Sequence, residues 1–102
     1  MLAVARAIDA DVSRDHSVRM LAARASMSPF HFIRCFKRVV GTTPHAYVCL
    51  ARLRAAGRML CDPKLPIATV AFDVGFQDLS VFNHAFRGTF GMTPRQLRES
   101  ML

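Results

Sequence analysis

Apolar residues recur along this chain at steps of three and four, a spacing that predicts helices, and nothing in it reads as a strand. Leu2, Ala5, Ile8 and Val12 mark a first helix over residues 2–12. Val18, Leu21, Ala22 and Ala25 share one face of a short second helix, with Ser17 as its N-cap after an Asp15-His16 turn. Only Ser26-Met27 then separates it from a third helix over residues 28–41. Ser28 is placed to cap that helix, Pro29 sits at its first turn, and Gly41 ends it. Its apolar stripe is Phe32, Phe36 and Val40; its other faces carry His31, Arg34, Lys37 and Arg38 and no carboxylate. Two helices joined by three or four residues form a helix-turn-helix unit. An apolar back with a basic front suits a helix that rests on a core and faces phosphates.

The pattern continues in the same manner. Thr43-Pro44 repeats the cap-plus-proline start, and Tyr47, Leu50, Leu53, Ala56 and Leu60 carry the longest helix to about Cys61. Eighteen residues of helix would span about 27 Å. Gly57 within it predicts a close helix–helix crossing, since glycine there otherwise costs about 1 kcal/mol relative to alanine. Asp62-Pro63 stops this helix. Pro66 opens a short one with Ile67, Val70, Ala71 and Val74 on its apolar face and Gly75 as a left-handed terminator. Asp78 caps a helix bearing Phe82, Phe86 and Phe90, Gly91 ends it, and Thr93-Pro94 begins a last helix through about Glu99. Phe72, Phe76, Phe82, Phe86 and Phe90 read as core packing, not as a platform for stacking bases.

These elements repeat. Val18, Leu21, Ala22 and Ala25 recur 49 residues later as Ile67, Val70, Ala71 and Val74. After one inserted residue, Phe32, Phe36, Val40, Gly41 and Pro44 recur 50 residues on as Phe82, Phe86, Phe90, Gly91 and Pro94. The prediction is an all-α fold of seven helices. Residues 1–43 form a first helix-turn-helix unit, 44–62 a long linker helix and 63–102 a second unit.

Composition narrows the function. The 102 residues carry 14 Lys plus Arg against 7 Asp plus Glu, a net charge of +7, and a hydrophobic share of 52% that excludes a disordered chain. Twelve of the 14 cations are arginine, the side chain suited to bidentate contact with phosphate and guanine. Residues 1–61 hold ten cations and three acids, and residues 62–102 four of each. That division predicts an electrostatic footprint in the first part of the chain. Cys35, Cys49 and Cys61 are odd in number, without a CxxC pair, which points to a reducing, cytoplasmic setting and not to disulfides. Arg6, Asp9 and Asp11 near the start argue against a signal peptide, and no apolar run is long enough to span a bilayer. No catalytic pairing at a motif spacing, no glycine-rich phosphate loop and no effector site stand out, so no enzyme, cofactor or small-molecule ligand is expected.

The order Ser28-Pro29, Phe32, Phe36, Gly41, Pro44, Tyr47, Arg52-Leu53, Ala56, Leu60, Ile67, Ala71, Gly75-Phe76, Ser80, Phe82, Phe86, Gly91 and Pro94 resembles the DNA-binding domain of the AraC/XylS family of bacterial transcription regulators. The most specific part runs from Ala71 to Phe82 and on to Phe90-Gly91-Met92-Thr93-Pro94. The resemblance implies two recognition helices that enter successive major-groove segments of double-stranded DNA, in a protein that acts at the bacterial nucleoid. Phe30, Ile33 and Arg34 match base-edge positions in the first helix, and Ser80, Val81, Asn83 and His84 those in the second. His31, Lys37, Arg38 and Arg87 are the phosphate candidates, joined by the helix starts at Ser17, Thr43 and Pro66.

The chain departs from the family pattern at three positions. Ser26 stands where the second repeat has Gly75, Ile33 is apolar where a polar base reader is common, and His84 occupies the position of Arg34. The 102 residues include no sensory or dimerisation domain, which leaves a short regulator and a part of a longer one both open. Blander readings also remain. Without the repeat, Arg34, Lys37 and Arg38 would read as a solvated helix face, and Phe30 also reads as a core aromatic. His31 and Cys35, four apart, supply two metal ligands, too few for a site. A helical adaptor for RNA polymerase or another acidic protein surface, with only non-specific DNA affinity, is the competing function.

Overall fold

The computed structural model describes residues 1–101, and among the described residues it contains seven α-helices and no strand. They are α1 (Leu2–Ala10), α2 (Val18–Arg24), α3 (Pro29–Val40), α4 (Pro44–Met59), α5 (Ile67–Asp73), α6 (Leu79–Phe90) and α7 (Pro94–Ser100). None is long and apolar enough to cross a membrane. The chain divides within α4 into two compact units, Met1–Ala51 and the residues from Arg52 onward.

The side-chain caps and the glycine stops fall where the sequence places them. Ser17 Oγ accepts from Met20 N at 3.3 Å, Ser28 Oγ from His31 N at 3.2 Å, and Asp78 Oδ1 from Val81 N at 3.0 Å. Thr43 Oγ1 accepts from Ala46 N at 3.2 Å, and Thr93 Oγ1 from Gln96 N at 3.1 Å. Gln96 returns the bond by accepting from Thr93 N, which completes a capping box on α7. Gly41 and Gly91 close α3 and α6 in the left-handed conformation, their N–H groups donating to Lys37 O and Arg87 O.

The repeat extends to individual hydrogen bonds. After α2, Ser26 N donates to Ala23 O and Met27 N to Ala22 O. After α5, Gly75 N donates to Phe72 O and Phe76 N to Ala71 O, the same pair 49 residues on. Both turns require a positive φ at one residue. Gly75 takes +110° freely; Ser26 takes +57° despite its Cβ. The turn geometry is thus imposed on a residue poorly suited to it.

In the first unit Ala5, Ile8, Leu21, Ala22, Phe32, Phe36, Val48 and Ala51 form one buried cluster. Phe36 packs on Phe32 at 5.8 Å and edge-on to Tyr47 at 5.7 Å. The Tyr47 hydroxyl donates to Asp9 Oδ2 at 2.7 Å, tying the start of α4 to α1. α1 stops at Ala10 and not at Val12: Asp11 leaves the helix at φ −152°, Val12 packs on the core from the loop, and Leu2 is 57% exposed. His16 is buried beside this loop, with Nε2 2.6 Å from the Asp11 carbonyl oxygen, so the ring donates there.

In the second unit Leu53, Ala56, Leu60, Val70, Ala71, Val74, Phe82 and Phe86 are buried. The ring chain Phe76–Phe82–Phe86–Phe90 runs through it at centroid spacings of 5.2, 5.6 and 4.7 Å. α4 ends at Met59, two residues short of Cys61. Arg98 of α7 covers that end, donating from Nε to Leu60 O and from Nη2 to Asp62 O at 3.2 and 3.1 Å.

Two packing expectations are overturned. A Cβ added at Gly57 would meet nothing within 4 Å, so no helix crosses there. Phe72 is 51% exposed and Phe90 37%. Phe72 sits about 200° around α5 from Val70, on the outward face, whereas Phe90, at the last position of α6, still packs on Phe86.

Three stability outcomes follow. Gly57→Ala raises stability by about 1 kcal/mol, because helix propensity acts with no packing cost; a lowered denaturant midpoint would show a neighbour at that position. Ser26→Gly raises stability by about 1 kcal/mol as the left-handed strain is relieved, while Gly75→Ser lowers it by at least as much. Asp15 accepts from Ser17 N at 3.0 Å, and hydrogen bonds from the Ser17 backbone and hydroxyl, then the charges of Arg24 and Arg19, hold its carboxyl below 3.8. A lowered pKa stabilises the fold above the unfolded value and ceases to as pH falls through the folded one. The advantage of wild type over Asp15→Asn is therefore present at neutral pH and vanishes in acid below about 3.8, as urea midpoints across that range will read.

Candidate nucleic-acid interface

Each unit buries one side of its second helix-turn-helix element and thereby selects what faces outward. In α3, Phe32 and Phe36 are fully buried, which turns Phe30, His31, Arg34, Lys37 and Arg38 to solvent. In α6, Phe82 and Phe86 do the same and expose Ser80, Val81, His84, Arg87 and Gly88. These residues correspond one to one at an offset of 50, and the exposure differs at Asn83, which is exposed where Ile33 is half-buried. Neither face contains a carboxylate.

The faces differ in chemistry. On α3, Phe30 is 73% exposed, and the Arg34 guanidinium lies over its ring with Cζ 6.0 Å from the centroid. Phe30 is thus a surface aromatic and no part of the core. His31 and Cys35 meet each other, Nε2 to Sγ at 3.5 Å, and no group of three or more ligating side chains forms among the described residues. Lys37 and Arg38 occupy the exposed last turn. On α6 the only permanent cation is Arg87, and Val81 is 57% exposed.

Ile33 and Asn83 flank these faces. Ile33 is half-buried at the edge of α3. Asn83 is exposed and lines a shallow open cleft with Ile67, Leu79, Thr93, Pro94 and Arg95. Arg95 in this cleft follows the Thr93-Pro94 start as His45 follows Thr43-Pro44, and nothing in the residue order alone marks it. Ser17 and Thr43 spend their side-chain oxygens on capping, so what they add to an anion surface is the helix start itself.

The division of charge also changes. With the boundary at Arg52, residues 1–51 hold seven cations and three acids, and residues 52–102 hold seven and four. Arg52, Arg54 and Arg58 of α4 belong to the second unit. The asymmetry predicted for the two parts of the chain survives only at the helices, where the α3 face carries three permanent cations and the α6 face one.

A family model described as a helix-turn-helix domain matches residues 21–100. The RCS-specific transcriptional activator RclR of Escherichia coli is 40% identical over 83 residues, which are 81% of this chain and 29% of that protein. A probable AraC family transcriptional regulator from Rhodopseudomonas palustris superposes with a TM-score of 0.83 at 27% identity, covering 96% of this chain and 93% of that one. The DNA-binding domain of AdpA, a global transcriptional factor solved in complex with a target DNA, superposes with a TM-score of 0.90 at 27% identity, covering 97% and 89%. The chain spans about a third of the length of most of the curated relatives it matches. It belongs to the AraC/XylS family of helix-turn-helix DNA-binding domains.

Removing Ser28's hydroxyl tests how the α3 face is held. Ser28→Ala costs about 1 kcal/mol of stability through the lost cap and leaves α6 untouched. Amide exchange should rise in the first turn of α3 and not in that of α6.

Proposed function

We propose that this AraC/XylS-family domain binds double-stranded DNA sequence-specifically and serves a regulator of bacterial transcription in the cytoplasm, at the nucleoid. One observation carries the reading: two repeat-related helices are each anchored by a buried phenylalanine pair, and each turns a carboxylate-free face to solvent. The AdpA domain, similar over nearly the whole chain, is seen on its target DNA. Each recognition helix enters a major-groove segment, α3 presenting Phe30 and Arg34 to base edges and α6 presenting Ser80, Val81 and His84. Ile33 and Asn83 reach bases from the edges of those faces. His31, Lys37, Arg38 and Arg87 hold phosphates, with Arg95 beside Asn83 as a further contact.

Affinity is weighted towards α3, because three of the four permanent cations on the two faces are there. Discrimination is weighted the same way, since a guanidinium fork at Arg34 matches guanine better than an imidazole at His84. The relatives carry the names of transcription regulators and not of enzymes. An adaptor that docks on RNA polymerase or another acidic surface would use the same basic face, and it would show only weak DNA affinity independent of sequence.

Selection from random DNA with the purified domain separates these. The proposal expects a preferred sequence and a protected region of about two helical turns. Arg34→Ala should weaken the preferred site by about 1–3 kcal/mol and relax one position of it. Lys37→Ala or Arg38→Ala should weaken preferred and random DNA alike and lower the salt slope by about one. Equal losses on both DNAs for Arg34→Ala would remove its base-reading role.

A further inference from the structure

We infer that Phe30 is a positioning residue for Arg34, so that the two side chains read a thymine and a nearby guanine as a single unit. The inference rests on the DNA-binding reading above and adds what that reading leaves open: the bases to which the α3 face is built.

The geometry starts from a side chain in an unfavourable place. Phe30 is the most exposed large hydrophobic residue among those described, at 73%, although it lies in a face of His31, Arg34, Lys37 and Arg38. Its backbone is held by the Ser28 cap and by Pro29 in the first turn of α3, so the ring projects from a fixed point. Arg34 stands four residues on, one helical turn away, with its guanidinium over the ring. That ring is the only partner of the Arg34 head group among the described residues. An arginine without a partner spreads over many rotamers, and fixing it on binding costs entropy. Attracted to the ring face, the guanidinium is biased towards that side of the helix, and its donors remain free.

The ligand chemistry follows from the two exposed groups. A guanidinium fork with free donors matches the O6 and N7 acceptors of guanine. The apolar group that major-groove edges offer to an exposed ring is the thymine methyl. Residues four apart on a helix are separated by about 6 Å along its axis. Base pairs stack at about 3.4 Å, so the two bases lie within two steps of each other. The second unit lacks the device: its matching residues are Ser80 and His84.

The test uses the intact 102-residue chain and the sequence it selects from random DNA. Binding is measured by fluorescence anisotropy for wild type, Phe30→Leu, Phe30→Tyr and Arg34→Ala. Three duplexes are compared: the selected one, one with uracil replacing the thymine, which removes only the methyl, and one with 7-deazaguanine replacing the guanine, which removes N7. Wild type should lose about 3- to 10-fold on either altered duplex. Phe30→Leu should lose about 2- to 5-fold of the discrimination at the guanine, part of what Arg34→Ala loses, while Phe30→Tyr keeps it. Thermal midpoints should not move, because Phe30 is outside the core.

Wild-type discrimination at the guanine in Phe30→Leu overturns the inference while sequence-specific binding stands. Loss at the thymine alone overturns it too, since the ring would then act directly and not through Arg34. If wild type selects no sequence, the DNA-reading proposal fails, and that result is distinct from both.

Discussion

The exposed chemistry of this protein depends on two pairs of buried phenylalanines. Phe32 and Phe36, and likewise Phe82 and Phe86, stand four residues apart and are fully excluded from solvent. Burial of each ring is worth on the order of 2–3 kcal/mol, far more than any single surface contact on the same helix. Each pair therefore sets the rotation of its helix about its own axis. Once that rotation is set, the residues two before and two after each anchoring ring have no choice but to face outward. The outward sets, Phe30-His31-Arg34-Lys37-Arg38 and Ser80-Val81-His84-Arg87-Gly88, are consequences of core packing.

The same backbone plan thus carries two different surfaces. The hydrogen bonds of the turn after α2 recur after α5, and the stop after α3 recurs after α6. Conserving the frame leaves the outward residues free to diverge, because they bear no packing load. In α3 they supply an aromatic ring, a guanidinium over that ring, an imidazole and two further cations. In α6 they supply small and apolar groups, an imidazole and one arginine. Even Ser26 obeys the frame, adopting the positive φ that glycine adopts in the other copy. Tertiary packing on both sides of that short turn outweighs the local steric cost of about 1–2 kcal/mol.

Much of this was legible from residue order. Helix starts at Ser17, Ser28, Thr43, Asp78 and Thr93 were readable because a cap is a local event: a hydroxyl or carboxylate meets an N–H three residues away. The glycine stops and the phenylalanine stripes were readable for the same reason. Where reading failed, the answer depended on what lay across a gap. Gly57 suggested a close crossing, yet the space beside it is open. Phe72 shares its residue type with the core rings, yet its angular position on α5 puts it outside. The charge split is extreme at the end of the long helix, whereas the unit boundary falls inside α4 and carries three arginines across.

Local order alone therefore determined the number of helices, their caps and the faces on which bases would be sought, since each rests on interactions within one or two turns. Packing in three dimensions decided the rest. It placed Phe30 in solvent beneath Arg34, Asn83 in a cleft with Arg95, and the division of the chain at Ala51. Those outcomes depend on side-chain approach and on contacts between residues far apart in the chain. Helical periodicity specifies a direction from the helix axis, and it is silent on what stands there.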